Sequence, residues 1–174
     1  SNYFATVDGL SERTKIRIRW YGELFGYVEK PVLELKSKRG NLGRKFGFPL
    51  HPFNHNDTFA RERLFNVFLI SEIPDDVRLS LLSTRAVLLN RYHRQYFQSV
   101  DRRYRLTIDS GMECIRTDTV DNALDTKLID TCSVVMELKY RCEDQDGADF
   151  VANQFHFRMT KNSKYTTGLE RLFA

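Results

Sequence analysis

The stretch Thr14-Lys15-Ile16-Arg17-Ile18-Arg19-Trp20-Tyr21 alternates charge and apolar bulk with a period of two. Only an extended strand turns that period into two clean faces. Lys15, Arg17 and Arg19 share one face, and Ile16, Ile18 and Trp20 share the other. The pattern recurs in Val32–Lys38, which sets Glu34, Lys36 and Lys38 together, and in Arg91–Phe97 after the apolar run from Ala86 to Leu89. There Tyr92 and Arg94 share a face, opposite Arg91 and His93. Arg103–Asp109 groups Arg103, Arg105, Thr107 and Asp109, and Val134–Tyr140 groups Glu137 and Lys139. Like charges on neighbouring strands repel, so these faces need compensation, while the Ile, Trp, Leu, Met and Tyr opposite them need burial. A sheet closed into a barrel meets both demands, with the apolar side chains outward under helices and the charged ones around a wet lumen. Small barrels ordinarily fill the lumen with apolar side chains. One lined with Arg, Lys and a few carboxylates suits a polyanion and a metal ion, because Arg forks match phosphate oxygens and Lys adds point charge.

The rest of the composition fits one domain with a helical insertion. The chain has 174 residues, 41% of them hydrophobic and 29% charged, which separates it from disordered and membrane-spanning classes. Thirteen Phe, eight Tyr and one Trp supply core material, and a net charge of +4 permits an anionic partner without choosing one. No apolar run approaches the roughly 20 residues of a membrane helix, and the N-terminus lacks the pattern of a signal peptide. The first residue is Ser1, so the chain is expected to begin inside a longer protein. Cys114, Cys132 and Cys142 are too sparse for a disulfide framework and too far apart for zinc pairs. They read as ordinary thiols of a reducing compartment.

Helices are expected between and after the strands. Asp57 or Thr58 would cap one with Phe59, Leu64, Phe65, Phe68 and Leu69 as its apolar positions, ended by Pro74. Pro74-Asp75-Asp76 would open a second, packed through Val77, Leu79, Leu81 and Leu82. A third is expected over about Ala148–Met159. The basic stretch Lys38–Lys45, with Gly40 and Gly43, reads either as a solvated hairpin turn or as a phosphate-handling loop. His51 and His55 flank Pro52 and read as loop residues. Glu34 and Glu137 offer the hard oxygen ligands that magnesium or manganese prefers, or else they pair with neighbouring Lys and Arg. Walker, dinucleotide-binding, nucleophile-elbow and zincin motifs are all missing.

Six segments then occur in order: Lys15–Gly22 (KIRIRWYG), Leu33–Lys36 (LELK), Tyr92–Arg94 (YHR), Arg105–Asp109 (RLTID), Met136–Tyr140 (MELKY) and Ser163–Tyr165 (SKY). Together they resemble the VTC domain, the polyphosphate-polymerase module of the vacuolar transporter chaperone complex and its prokaryotic relatives, within the triphosphate tunnel metalloenzymes. The resemblance spans essentially the whole chain. It implies an α+β fold, an antiparallel eight-stranded β-barrel with flanking helices, as a single tunnel domain over residues 1–174. The family's first strand would precede Ser1, and Tyr3-Phe4-Ala5-Thr6 runs into Val7–Leu10 where relatives carry a longer helical connection.

By motif, the resemblance implies that Arg17, Arg19, Lys36, Arg94, Arg105 and Lys164 handle phosphates, with Ser163 and Lys164 closing the site. Tyr92 would position phosphate or nucleotide, Glu137 would hold Mn2+ or Mg2+, and Lys15, Lys139 and the Arg44–Lys45 pair would assist. The implied partners are ATP and polyphosphate, and the implied location is cytoplasmic or the cytosolic face of a membrane assembly. The implied reaction is transfer of the ATP γ-phosphate to a polyphosphate chain by direct in-line displacement. The alternatives are a triphosphatase or tripolyphosphatase, and a non-catalytic polyphosphate-binding module. Nucleic acid is not an expected partner, since Trp20, Tyr104 and Tyr140 alternate away from the charged faces. A wall of mutually repelling cations further implies that Arg94→Ala leaves the empty fold at least as stable as before.

Overall fold

The structure, a computed structural model, describes residues 12–39, 42–56, 61–117, 127–157, 160 and 162–173. They form mixed α and β structure with antiparallel sheets and four α-helices among the described residues. The chain groups into two compact units. One runs to Val87 and includes Arg116 and Thr117; the other holds Leu88–Ile115 and the described residues from 127 onward. No helix among the described residues is long and apolar enough to cross a membrane.

In the first unit, β1 (Glu12–Arg19), β3 (Val32–Arg39) and β4 (Leu42–Pro49) form a sheet in the order β1-β3-β4. The register places Ile16 opposite Leu35, Ile18 opposite Leu33, and Leu33 opposite Phe48. This apolar face meets α1 (Arg61–Ile70) and α2 (Asp75–Leu82). Leu33, Leu50, Val67, Phe68, Ile73 and Leu81 form the buried cluster, and Ile16, Ile18, Phe48, Leu64 and Val77 pack against it. Period two on the strands and spacing of three to four on α1 thus serve one core. Phe65 and Leu69, expected with that core, stay exposed. The helix ends at Ile70, before Pro74, and Arg78 donates to the carbonyls of Phe68, Ser71 and Ile73 at 3.1–3.3 Å. The Phe68 carbonyl is one that the last turn of a helix leaves without an intrahelical partner. Pro74 stands just outside α2 at the N-cap, with Asp75 and Asp76 favourably placed in the first turn. The expected caps Asp57 and Thr58 lie outside the described residues.

A small sheet pairs β2 (Gly26–Val28) with β5 (Phe53–His55). His55 is therefore a strand residue and not the loop residue expected. Its ring lies 5.6 Å from Trp20 and 5.5 Å from Phe25. The basic stretch Lys38–Lys45 is the junction of β3 and β4, with strand up to Arg39 and again from Leu42; Gly40 and Asn41 lie outside the described residues.

The second unit centres on β7 (Arg105–Arg116), with β6 (Leu88–Gln98) beside it. β9 (Val135–Lys139) pairs with Arg105–Asp109, and β8 (Lys127–Asp130) pairs with Met112–Ile115. The Asp130 carboxylate accepts from the backbone N–H groups of Cys132 and Ser133, forming the turn that separates β8 from β9. Gly111, at φ +60°, interrupts the alternation of β7 midway. The sign of this is that α4 (Lys164–Phe173) touches Asp109 through Lys164 and approaches Cys114 at Gly168. Residues five apart point to opposite faces of a regular strand.

The third helix, α3, spans Gln145–Asn153 behind a short 3-10 turn at Cys142–Asp144, earlier than the expected Ala148–Met159. Gly147 in α3 and Gly168 in α4 weaken the helical signal, yet each fits a close approach. A Cβ at Gly168 would lie 3.0 Å from Cys114 Sγ and 3.1 Å from Leu88 Cδ2. Gly168→Ala is expected to lower stability by about 1 kcal/mol, because overpacking outweighs the gain in helix propensity. Chemical denaturation, with Gly168→Ser as a second probe, measures it.

Candidate anion site on two cationic sheet faces

The face of the β1-β3-β4 sheet opposite the helices carries the charge. Across it, Lys15 stands opposite Lys36, and Lys36 opposite Lys45. Directly opposed like charges destabilise a strand pair, so three lysines in one row call for a counter-charge. One carboxylate supplies part of it from the next row, where Glu34 faces Arg17 on one side and Gly47 on the other. Glu34 is only 4% exposed. Arg17 Nε donates to its Oε2 at 2.6 Å, Arg19 Nε lies 3.1 Å from Oε1, and Lys45 Nζ lies 3.0 Å from Oε1. Burial alone would raise the Glu34 pKa, but the bonds from Lys45 and Arg17 and the charges of Arg17 and Arg19 bring it below its ordinary value. Glu34 is thus an internal counter-ion to three cations, the pairing that the second of its two readings expects. The Arg44–Lys45 pair is split by strand alternation: Lys45 belongs to this face, and Arg44, opposite Ser37, to the other.

The second unit repeats the device. Asp109 is 1% exposed. Arg94 grips it through Nε to Oδ1 at 2.5 Å and Nη2 to Oδ2 at 2.7 Å, and Lys164 Nζ reaches Oδ2 at 2.6 Å. Burial pushes the Asp109 carboxyl up, and the bonds and charges of Arg94 and Lys164 more than reverse it. Tyr92 lies under both cations, 5.2 Å from the Arg94 guanidinium and 5.1 Å from Lys164 Nζ. Register places Arg105 opposite Lys139 and Thr107 opposite Glu137, all on the face of Asp109. Thr107 is 2% exposed, and its hydroxyl meets no hydrogen-bond partner among the described residues. The Glu137 carboxylate is about half exposed, 3.4 Å from Lys139 Nζ.

Ser163 caps α4: its hydroxyl accepts from the Thr166 N–H, and its carbonyl accepts the first helical bond, from Thr167. That cap aims Lys164 at Asp109. Beyond Gly111, Glu113 pairs with Arg91 at 3.2 Å and with Lys127.

Of the residues expected in a site, Lys15, Arg17, Arg19, Lys36 and Lys45 share one face in the first unit, and Tyr92, Arg94, Arg105, Glu137, Lys139 and Lys164 share one in the second. Asp109 falls among cations in the strand alternation, and that place is the sequence signal that marks it as their counter-ion. Arg94 is also more than a member of a repelling wall. Its loss strands a buried carboxylate, so the expected tolerance of Arg94→Ala is reversed.

Among the described residues, no three His, Cys, Asp or Glu side chains gather as a metal cluster. Glu137 fits a different kind of site, in which a hard cation takes one or two carboxylates and shares the oxygens of a phosphate substrate. Cys114 is buried, which pushes its thiol up, and all three cysteines are free, in keeping with ordinary thiols.

Antiparallel sheets whose polar faces set several cations around each buried carboxylate characterise this α+β domain. The chain belongs to the VTC domain family, whose model matches residues 1–173. Family membership links it to polyphosphate. No curated protein matches the chain.

Proposed function

We propose that this domain is an eight-stranded tunnel that binds a nucleoside triphosphate and polyphosphate on its cationic sheet faces and transfers the ATP γ-phosphate to the polyphosphate chain. The observation that carries the reading is the row Lys15–Lys36–Lys45 beside the Glu34 cluster, a like-charge ladder that an anion of several phosphates neutralises. Arg17, Arg19, Lys36, Arg94, Arg105 and Lys164 hold the phosphates, with Lys15, Lys45, Tyr92, Lys139 and Ser163 in support. The terminal oxygen of the chain attacks the γ-phosphorus in line, the bond to the β-phosphate oxygen breaks, and ADP leaves. Fixed cations meet the charge that develops on the transferring oxygens. Glu137 would hold Mn2+ or Mg2+, which neutralises phosphate charge when bound. The contact of Glu137 with Lys139 favours a second reading, a non-catalytic polyphosphate-binding module.

Incubation with ATP and Mn2+, followed by separation of long polyphosphate from free phosphate, tests both. Long polymer supports transfer, free phosphate alone indicates a triphosphatase, and binding without turnover indicates the module. Glu137→Gln, nearly isosteric, is expected to lower metal-dependent turnover by about 100-fold or more with the melting temperature unchanged. Retained turnover would leave Glu137 with only its pairing to Lys139.

A further inference from the structure

Along β1 the cations Lys15, Arg17 and Arg19 recur every second residue, a step of roughly 7 Å, and the next position in the series is Tyr21. We infer that Tyr21 is the nucleobase-stacking residue of this site, which separates ATP from inorganic polyphosphate. The inference rests on the proposed triphosphate-binding reading. Tyr21 is 72% exposed and stands beside the charged cluster. Its position is nevertheless determined. The Arg19 guanidinium donates to the Tyr21 hydroxyl and lies 5.0 Å from the ring centroid, while Arg19 Nε faces Glu34. The ring is therefore tied to the cation cluster through one side chain.

The backbone around it is anchored too. Trp20 packs edge-on against Phe53 and donates from its indole N–H to the Glu23 carbonyl, and Gly22 takes φ +102°. A Cβ at that φ is strained, so the turn that displays Tyr21 favours glycine. Tyr92, the other aromatic on the charged faces proposed to position a nucleotide, is half-buried with Arg94 and Lys164 over its ring. Tyr21 offers a base more open surface. A triphosphate held between Arg17 and Arg19, with its α-phosphate at Arg19, leads its ribose and base toward Tyr21, and a base stacks on any aromatic face whatever its identity. Inorganic polyphosphate has no base and gains nothing from this residue.

Calorimetric titration with ATP and with inorganic tripolyphosphate tests the inference on wild type, Tyr21→Leu and Tyr21→Phe. Tyr21→Leu is expected to weaken ATP about tenfold and to leave tripolyphosphate within about twofold. Tyr21→Phe, which keeps the ring and loses the hydroxyl, is expected to retain ATP affinity within about threefold. Unchanged ATP affinity in Tyr21→Leu, or equal losses for both ligands, would overturn the inference while tripolyphosphate binding by the wild type keeps the function standing. Equal behaviour of the Phe and Leu variants would overturn it as well, making the hydroxyl tether the whole role. A wild type that binds neither ligand overturns the proposed function and this inference with it.

Discussion

Asp109→Asn is expected to cost about 3 kcal/mol, toward the lower end of the range for breaking a buried ion pair. The melting temperature should fall by roughly 6–12 °C in a chain of this size. The change keeps the shape and removes the charge. It leaves Arg94 and Lys164, 24% and 18% exposed, facing each other across an amide that accepts on one side only. Arg94→Ala should destabilise as well, because the 1%-exposed carboxylate then keeps only Lys164. The double variant Arg94→Ala/Asp109→Asn should lose less than the two single losses added, since each single change strands the other partner. Thermal and urea unfolding of the three variants checks this. Additive losses would show that the pair does not act as a unit.

Glu34→Gln is expected to be the second most damaging change, at about 2–3 kcal/mol. Its cost is smaller because Arg17 and Lys45, both 59% exposed, keep water when the carboxylate is neutralised. Acid should reproduce the effect in the wild type. Glu34 and Asp109 both titrate below their ordinary values in the folded chain. Their contribution is therefore complete above the unfolded carboxylate range near pH 4, and it is lost as pH falls through the lower folded values. Melting temperatures measured from pH 7 down to pH 2 should show this decline in the wild type. The slope should be shallower in Glu34→Gln/Asp109→Asn, and an identical slope would place the acid sensitivity elsewhere.

The charged faces were legible in the sequence because strand alternation is a local property. Lys15, Arg17 and Arg19 on one side, with Ile16 and Ile18 on the other, need no tertiary information to be assigned. The long-range partners were less accessible. That Glu34 holds Lys45 and that Asp109 holds Lys164 depend on strand register and on where the last helix docks. The strands Leu42–Pro49 and Lys127–Asp130 were missed because glycines interrupt one and the other is four residues long. The last helix, Lys164–Phe173, was hidden by Thr166, Thr167 and Gly168, all weak helix formers, although its apolar side is clear once it is docked. The resemblance implied phosphate-handling roles that no local pattern carries, whereas Glu137 is a candidate metal ligand by residue type alone.

The glycine in the middle of β7 gives that strand two phases. Before it, the odd-numbered side chains, ending at Asp109, serve the sheet face that α4 reaches. After it, Cys114 serves that face, and the odd-numbered Glu113 engages Arg91 and Lys127. A strand with unbroken alternation would turn Asp109 and Glu113, four residues apart, to the same face. The half-step slip distributes them to separate sets of basic partners. Deleting the single residue Gly111 would close the slip and keep the faces: Asp109 and Cys114, then four positions apart, would meet the C-terminal helix by plain alternation.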